Sequence, residues 1–292
     1  MKLAAIDIGS NAARLLISEV TKQPKQDPVF NKINLVRVPL RLGFDVFETG
    51  EISKAKVKML MQTLKAYQHL LEAYEIKHVY ACATSAMRDA RNSKDIIRKV
   101  KLETGIEIKV ISGQEEASFI YENHVAENLD SDHSYLYIDV GGGSTEITLY
   151  HNSKVKFQKS YNIGTVRILT DMVNDDVWQR LKIDLKEIAK NHPGIEAIGS
   201  GGNINKILSI QRNDSKLNYK EIKQIYNELS PLSIEERMDL YILKKDRADV
   251  IVPALLIYYN IMKWANIEDI NVPKIGLVDG LIHHLYELVL AD

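Results

Sequence analysis

Two stretches of the chain share one alternation of apolar runs and polar breaks. Tyr135 to Tyr150, YLYIDVGGGSTEITLY, opens as a strand rich in β-branched and aromatic residues and ends at Asp139. It then turns through Gly141, Gly142 and Gly143 and resumes as a second strand from Ser144. Near the N-terminus, AAIDIGSNAARLLISEV repeats the grammar: an apolar strand, Asp7, Gly9, the small polar residues Ser10 and Asn11, then a second apolar strand. The two copies are separated by close to half the chain. That spacing predicts two similar domains facing each other, each presenting a glycine hairpin to a shared cleft.

Between the hairpins the pattern changes period. The polar loop TKQPKQDP precedes a third strand at 33–40, and RLGFDVFETGEIS reads as a connection. Ser53 is placed to cap a helix running to about Tyr74, in which Val57, Leu60, Met61, Leu64, Tyr67 and Leu71 recur at helical spacing as a core stripe. A strand at 79–83, a helix from about Ser93 and a strand at 107–111 follow. The second half repeats the order, with a strand at 154–161, a helix at 177–190 ended by His192, Pro193 and Gly194, a strand at 195–199, a strand at 270–272 and a helix at 277–290. A meander followed by alternating strands and helices implies a mixed sheet covered on both faces.

Composition narrows the class. The 292 residues suffice for two domains, and the formal net charge of −1 gives no basic field for nucleic acid. The single cysteine, Cys82, excludes an intramolecular disulfide and lies in the apolar run HVYACA as a small core residue. Asp7 interrupts the first strand too early for a leader, and no apolar run approaches the ~18 residues of a membrane span. The expectation is a soluble, cytoplasmic protein that binds neither nucleic acid nor membrane.

The chemistry concentrates at the hairpins. Glycines 141 to 143 permit positive φ and bring successive N–H groups to an anion, with Ser144 and Thr145 adding hydroxyls. Asp139 and Glu146 would repel a bare phosphate, so they suit a divalent cation held between them and phosphate oxygens, with Asp7 in its water shell. A tight glycine turn with solvated acids is the alternative.

Two such hairpins resemble those of the acetate and sugar kinase and actin-like ATPase superfamily. Within it, DVGGGSTE is similar to the phosphate motif of the exopolyphosphatase and guanosine pentaphosphate phosphohydrolase (Ppx/GppA) family. The resemblance implies two ribonuclease H-like α/β domains, each a mixed five-stranded sheet flanked by helices, with an interdomain cleft. Their spans would be 1–124 and 125–292, the last helix free to pack back on the first domain, in a short form without the family's C-terminal helical module.

The resemblance also assigns roles. Arg88, in ATSAMRDARNS, matches a phosphate-binding arginine. Glu116, in a segment matching SGxEEA, matches the general base, although Glu115 and Glu116 alone read as ordinary helix-start acids. Arg247 matches an arginine that leads a helix, with Asp249 as an alternative partner, and Arg41, Leu42 and Gly43 match an RLG segment. Departures are Phe44 and Asp45 after that segment, Asn203 after a third glycine turn where the family carries threonine and where an N-cap role suits either, and Ala12 in place of a hydroxyl residue.

The implied activity is Mg²⁺-dependent hydrolysis of a phosphoanhydride, polyphosphate first and pppGpp second. Catalysis would fall to Glu116, Arg88 and Asp139. Phosphate would be bound by Gly9, Ser10, Asn11, Gly141, Gly142, Gly143, Ser144 and Arg247, and the metal by Asp139, Glu146 and Asp7. A small-molecule kinase and a non-catalytic polyphosphate or alarmone-binding protein are the competing classes. The family also admits a homodimer, which no residue pattern here specifies.

Overall fold

The computed structural model describes residues 1–22, 26–121, 133–152, 154–213, 215–273 and 275–291. It divides into two compact units, Met1–Asn123 with Leu277–Asp292, and His124–Gly276. The boundary expected between residues 124 and 125 lies outside the described residues.

The first unit opens with the expected meander, β1 (Lys2–Ile8), β2 (Ala13–Thr21) and β3 (Val29–Val38). Next come α1 (Leu42–Thr49) and α2 (Lys54–Ala73), then β4 (His78–Ala83), α3 (Ser85–Asp89), α4 (Ser93–Thr104), β5 (Ile108–Val110) and α5 (Gly113–Tyr121). Strand order is β3-β2-β1-β4-β5, with β1–β2 and β2–β3 antiparallel and β4 and β5 added parallel. The Ser53 hydroxyl accepts from the Lys56 N–H at the start of α2, and of the expected stripe Leu60, Met61, Leu64, Tyr67 and Leu71 are buried while Val57, in the first turn, is half-buried. Burying each such side chain contributes roughly 1.5–3 kcal/mol.

Helix α1 corrects the sequence reading, which left this stretch as a connection. Its eight residues are too short a run to display a helical period, and Gly43 within it weakens helix propensity. What fixes it is tertiary: Leu42, Val46 and Phe47 are buried, and its first N–H groups bond to the β1–β2 turn.

The second unit repeats the plan. It comprises β6 (Ser134–Val140), β7 (Thr145–His151), β8 (Lys154–Tyr161), α6 (Thr165–Leu169), α7 (Asp175–Asn191), β9 (Glu196–Ser200), α8 (Gly202–Gln211), β10 (Lys216–Asn218), α9 (Tyr219–Leu229), α10 (Ile234–Tyr241), α11 (Lys245–Ala248), α12 (Ile251–Trp264) and β11 (Asp269–Asn271). Its sheet order is β10-β11-β9-β6-β7-β8, longer than the expected five strands by the three-residue edge strand β10. The core centres on α12, where Leu255, Tyr258 and Met262 are fully buried among residues of β6, β9 and α9. An antiparallel meander continued by parallel strands, twice in one chain, is the ribonuclease H-like arrangement of the actin-like superfamily.

The chain's last helix, α13 (Leu277–Ala291), belongs to the first unit. Leu277, Val278, Leu281, Ile282, Leu285 and Tyr286 pack with Leu3, Ala5, Leu16, Val20 and Cys82. His283 and His284 are packing residues: the His283 ring lies tilted against Phe30 at 3.7 Å between centroids, and the His284 ring lies 4.8 Å from Phe119. No helix among the described residues is long and apolar enough to cross a membrane.

Candidate active site

In the second unit, β6 and β7 pair so that Asp139 stands directly opposite Glu146. The pairing extends the row outward: Ser200 on β9 is level with Asp139, and Ser160 on β8 is level with Glu146. Residues in register share a sheet face, and the contacts follow. Ser200 Oγ donates to Asp139 Oδ1 at 2.8 Å, and Ser160 Oγ donates to Glu146 Oε1 at 2.8 Å. Neither serine was singled out from sequence, because each reaches its carboxylate only through strand register.

The two carboxylates carry oxygens within 4.8 Å of each other, and Glu146 is only 2% exposed. Two carboxylates this close, one of them buried, repel when both are ionised unless a cation lies between them. Hard oxygen donors fit Mg²⁺ or a similar divalent ion. Asp139 and Glu146 therefore suit the expected metal.

The loop between the strands is shaped by α6. Thr165 N–H donates to the Gly141 carbonyl at 3.0 Å, Val166 N–H to Gly142 at 2.8 Å, and Arg167 Nε to Gly143 at 2.8 Å. A trans peptide directs its N–H opposite its carbonyl. With these three carbonyls held by α6, the N–H groups of Gly142, Gly143 and Ser144 are directed away from it, a run of donors suited to an anion.

This corrects two expectations. Gly141 does not offer its N–H, which bonds to the Ser144 carbonyl at 2.9 Å, and the loop does not use positive φ. Gly164 has no room for a side chain, since an added Cβ would fall 2.5 Å from the Gly142 and Gly143 carbonyl carbons.

The first unit is wired the same way. Gly9 N–H bonds to the Ala12 carbonyl at 3.0 Å, so Gly9, like Gly141, spends its donor inside the turn. Gly43 N–H takes the Ser10 carbonyl at 2.8 Å and Arg41 N–H takes Asn11 at 2.9 Å. The N–H groups of Asn11 and Ala12 are thereby directed away from α1. Ala12 keeps this donor without its missing hydroxyl. The Ser10 hydroxyl is committed elsewhere, to Ser85 Oγ at 2.8 Å and the Ala86 N–H at 3.1 Å. The RLG segment thus performs for the first turn what α6 performs for the second.

The rows of the two units differ in charge. Level with Asp7 stand Arg14 on β2 and, beyond it, Arg37 on β3, with Cys82 and Lys109 on the other side. Arg14 Nη1 donates to Asp7 Oδ2 at 2.6 Å. Burial nevertheless raises the Asp7 pKa, Arg14 opposing it. Cys82 is fully buried, and its thiol is pushed well up, chiefly by desolvation and then by Asp7 and Glu116.

The two glutamates of α5 have separate environments. Ser112 and Glu115 bond reciprocally, side chain to backbone N–H, as a capping box. The bond from Ser112, with Lys109 beside it, lowers the Glu115 carboxyl to about 2. Glu116 turns inward and is 7% exposed. Arg88, in the last turn of α3, donates from Nη1 to the Ile111 carbonyl at 2.8 Å.

The third glycine turn meets the acidic row. Gly201 has φ 92°, and a Cβ there would lie 2.6 Å from Asp139 Oδ1. Gly201 is also the N-cap of α8, so Asn203 does not cap that helix as expected. It is buried in the helix's first turn, donating to the Val140 carbonyl at 3.4 Å and accepting from Arg247 Nη1 at 3.1 Å. Arg247 lies in the short α11 and does not lead the long helix.

Comparison with known proteins decides the family. The chain matches the model of the Ppx/GppA phosphatase family over residues 19–288. The chain belongs to the Ppx/GppA family. Members of this family are hydrolases acting on polyphosphate and related phosphoanhydrides. A bifunctional 3-dehydroquinate synthase/phosphatase from Fusobacterium nucleatum is 32% identical over 82% of the chain, which spans only 35% of that protein's length. Exopolyphosphatase 1 of Mycobacterium tuberculosis is 23% identical, covering 97% of the chain and 87% of that protein. Among solved structures, the Aquifex aeolicus Ppx/GppA family member aligns with TM-score 0.77 and 27% identity, over 100% of this chain and 99% of that one. An exopolyphosphatase from Cytophaga hutchinsonii aligns with TM-score 0.85 and 23% identity, over 98% of each chain, and shares the fold.

Proposed function

We propose that the chain is an exopolyphosphatase, releasing orthophosphate from the end of inorganic polyphosphate with Mg²⁺. The observation that carries this is the second unit's pairing of an anion-binding loop with two closely spaced carboxylates. Polyphosphate as substrate is supported by the likeness to exopolyphosphatase 1 along nearly the whole chain.

In this reading the N–H groups of Gly142, Gly143, Ser144, Asn11 and Ala12 hold the terminal phosphate, each charge-assisted bond contributing about 1.5–3 kcal/mol. Arg88 and Arg247 add positive charge to the phosphoryl oxygens. Asp139 and Glu146 hold Mg²⁺, which when bound neutralises the phosphoryl oxygens and the leaving phosphate. Glu116 accepts a proton from the attacking water, and Arg14 keeps Asp7 fixed at the first turn.

The test is phosphate release with Mg²⁺ from long-chain polyphosphate, pppGpp and ATP in parallel. Release from polyphosphate with shortening from the ends is expected. Release from pppGpp alone would transfer the assignment to the alarmone, and release from none of the three would refute a hydrolase.

A further inference from the structure

We infer that Ser160 and Ser200 are positioning residues that hold the Asp139–Glu146 pair ready for a divalent cation, and that the duplicated row has been divided so that only the second unit's copy takes one. This rests on the metal reading proposed above.

The four side chains form a level row across β9, β6, β7 and β8: hydroxyl, carboxylate, carboxylate, hydroxyl. Each serine hydroxyl donates to one carboxylate oxygen at 2.8 Å. A donor at one oxygen restricts rotation of the carboxylate while adding no charge, so the pair retains its attraction for a cation. Ser200 is itself anchored, because Tyr258 OH, fully buried, donates to its backbone carbonyl at 3.1 Å. Gly201 admits the close approach, since any side chain there would strike Asp139 Oδ1.

The first unit supplies the contrast. Arg14 occupies, relative to Asp7, the place that Glu146 occupies relative to Asp139, seven residues on and directly opposite. A guanidinium there neutralises the aspartate and repels a metal ion. The same fold position thus carries a guanidinium in the first unit and a carboxylate in the second, and only in the second do two hydroxyls flank the pair.

Calorimetric titration of the intact chain with Mn²⁺, without substrate, tests this. Ser160→Ala and Ser200→Ala should each raise the Kd about tenfold or more, the usual effect of removing a partner of a metal ligand. Ser160→Thr and Ser200→Thr, which keep the hydroxyl, should stay near the unsubstituted value, as should Asp7→Asn. Thermal unfolding without metal checks that every variant is folded. If the unsubstituted chain binds Mn²⁺ and the alanine variants bind it equally well, the positioning role is overturned while the metal reading stands. If Asp7→Asn weakens binding as much as the alanine variants, the division of the rows is overturned. If the unsubstituted chain binds no Mn²⁺, or Asp139→Asn binds it unchanged, the metal reading fails and this inference with it.

Discussion

Gly164→Ala isolates the part played by α6 in shaping the second loop. The added methyl would sit 2.5 Å from the carbonyl carbons of Gly142 and Gly143, backbone atoms that cannot swing aside. Carbon atoms settle at about 3.5 Å or more, so loop and helix must part by roughly 1 Å. The bonds from Thr165 and Val166 to the Gly141 and Gly142 carbonyls would lengthen with them. Overpacking of this kind costs about 1–3 kcal/mol, and each kcal/mol lowers Tm by roughly 2–4 °C in a domain of this size. Turnover should suffer more, because a displacement of about 1 Å at a reacting group can cost 10²-fold. The assay is steady-state phosphate release from polyphosphate beside a melting curve. Gly194→Ala is the control: Gly194 has φ 77° and nothing within 4 Å of an added Cβ. That variant should lose about 1–2 kcal/mol to left-handed backbone strain and keep its turnover. If Gly164→Ala melts lower but turns over at the unsubstituted rate, the account of α6 as the loop's support is wrong.

Glu116→Gln should lower kcat by about 10² to 10⁴ with KM nearly unchanged, as loss of a general base predicts; turnover near the unsubstituted rate would remove Glu116 from that role. The Cys82 thiol, buried with its pKa raised, should resist a thiol reagent in the native protein at pH 8 and react only on unfolding. Glu115, held at about 2, binds protons less readily folded than unfolded. Its stabilisation is therefore complete above the ordinary glutamate range and lost as pH falls toward 2. The Tm difference between the unsubstituted chain and Glu115→Gln should be largest at neutral pH and vanish near pH 2.

Local pattern carried the strands and long helices. The hairpins, the α2 stripe and the Ser53 cap all depend on neighbours within a few residues, and they stand as read. What escaped depends on distant partners. The Ser200 hydroxyl lies 61 positions from Asp139, and α1 is fixed by bonds to a turn about 30 positions earlier. The glycines illustrate the same limit. Phosphate donors were read at Gly9 and Gly141, whose N–H groups close their own turns, whereas steric demand falls on Gly164 and Gly201, visible only once the chain is folded. Glu115 and Glu116 are adjacent in sequence, yet one caps a helix and the other is buried; helix phase separated them.

The docking of α13 on β1 and β2 bears on how the protein is made. During synthesis the first unit's sheet emerges before the second unit, but the cover of one face is incomplete until Leu277–Ala291 leaves the ribosome. The second unit is continuous in sequence and can mature while its predecessor waits, so the half that begins the chain finishes last. A nascent chain stalled before Leu277 would display Leu3, Ala5, Leu16 and Val20 to chaperones, and a stop codon there would damage a sheet translated more than 250 residues earlier.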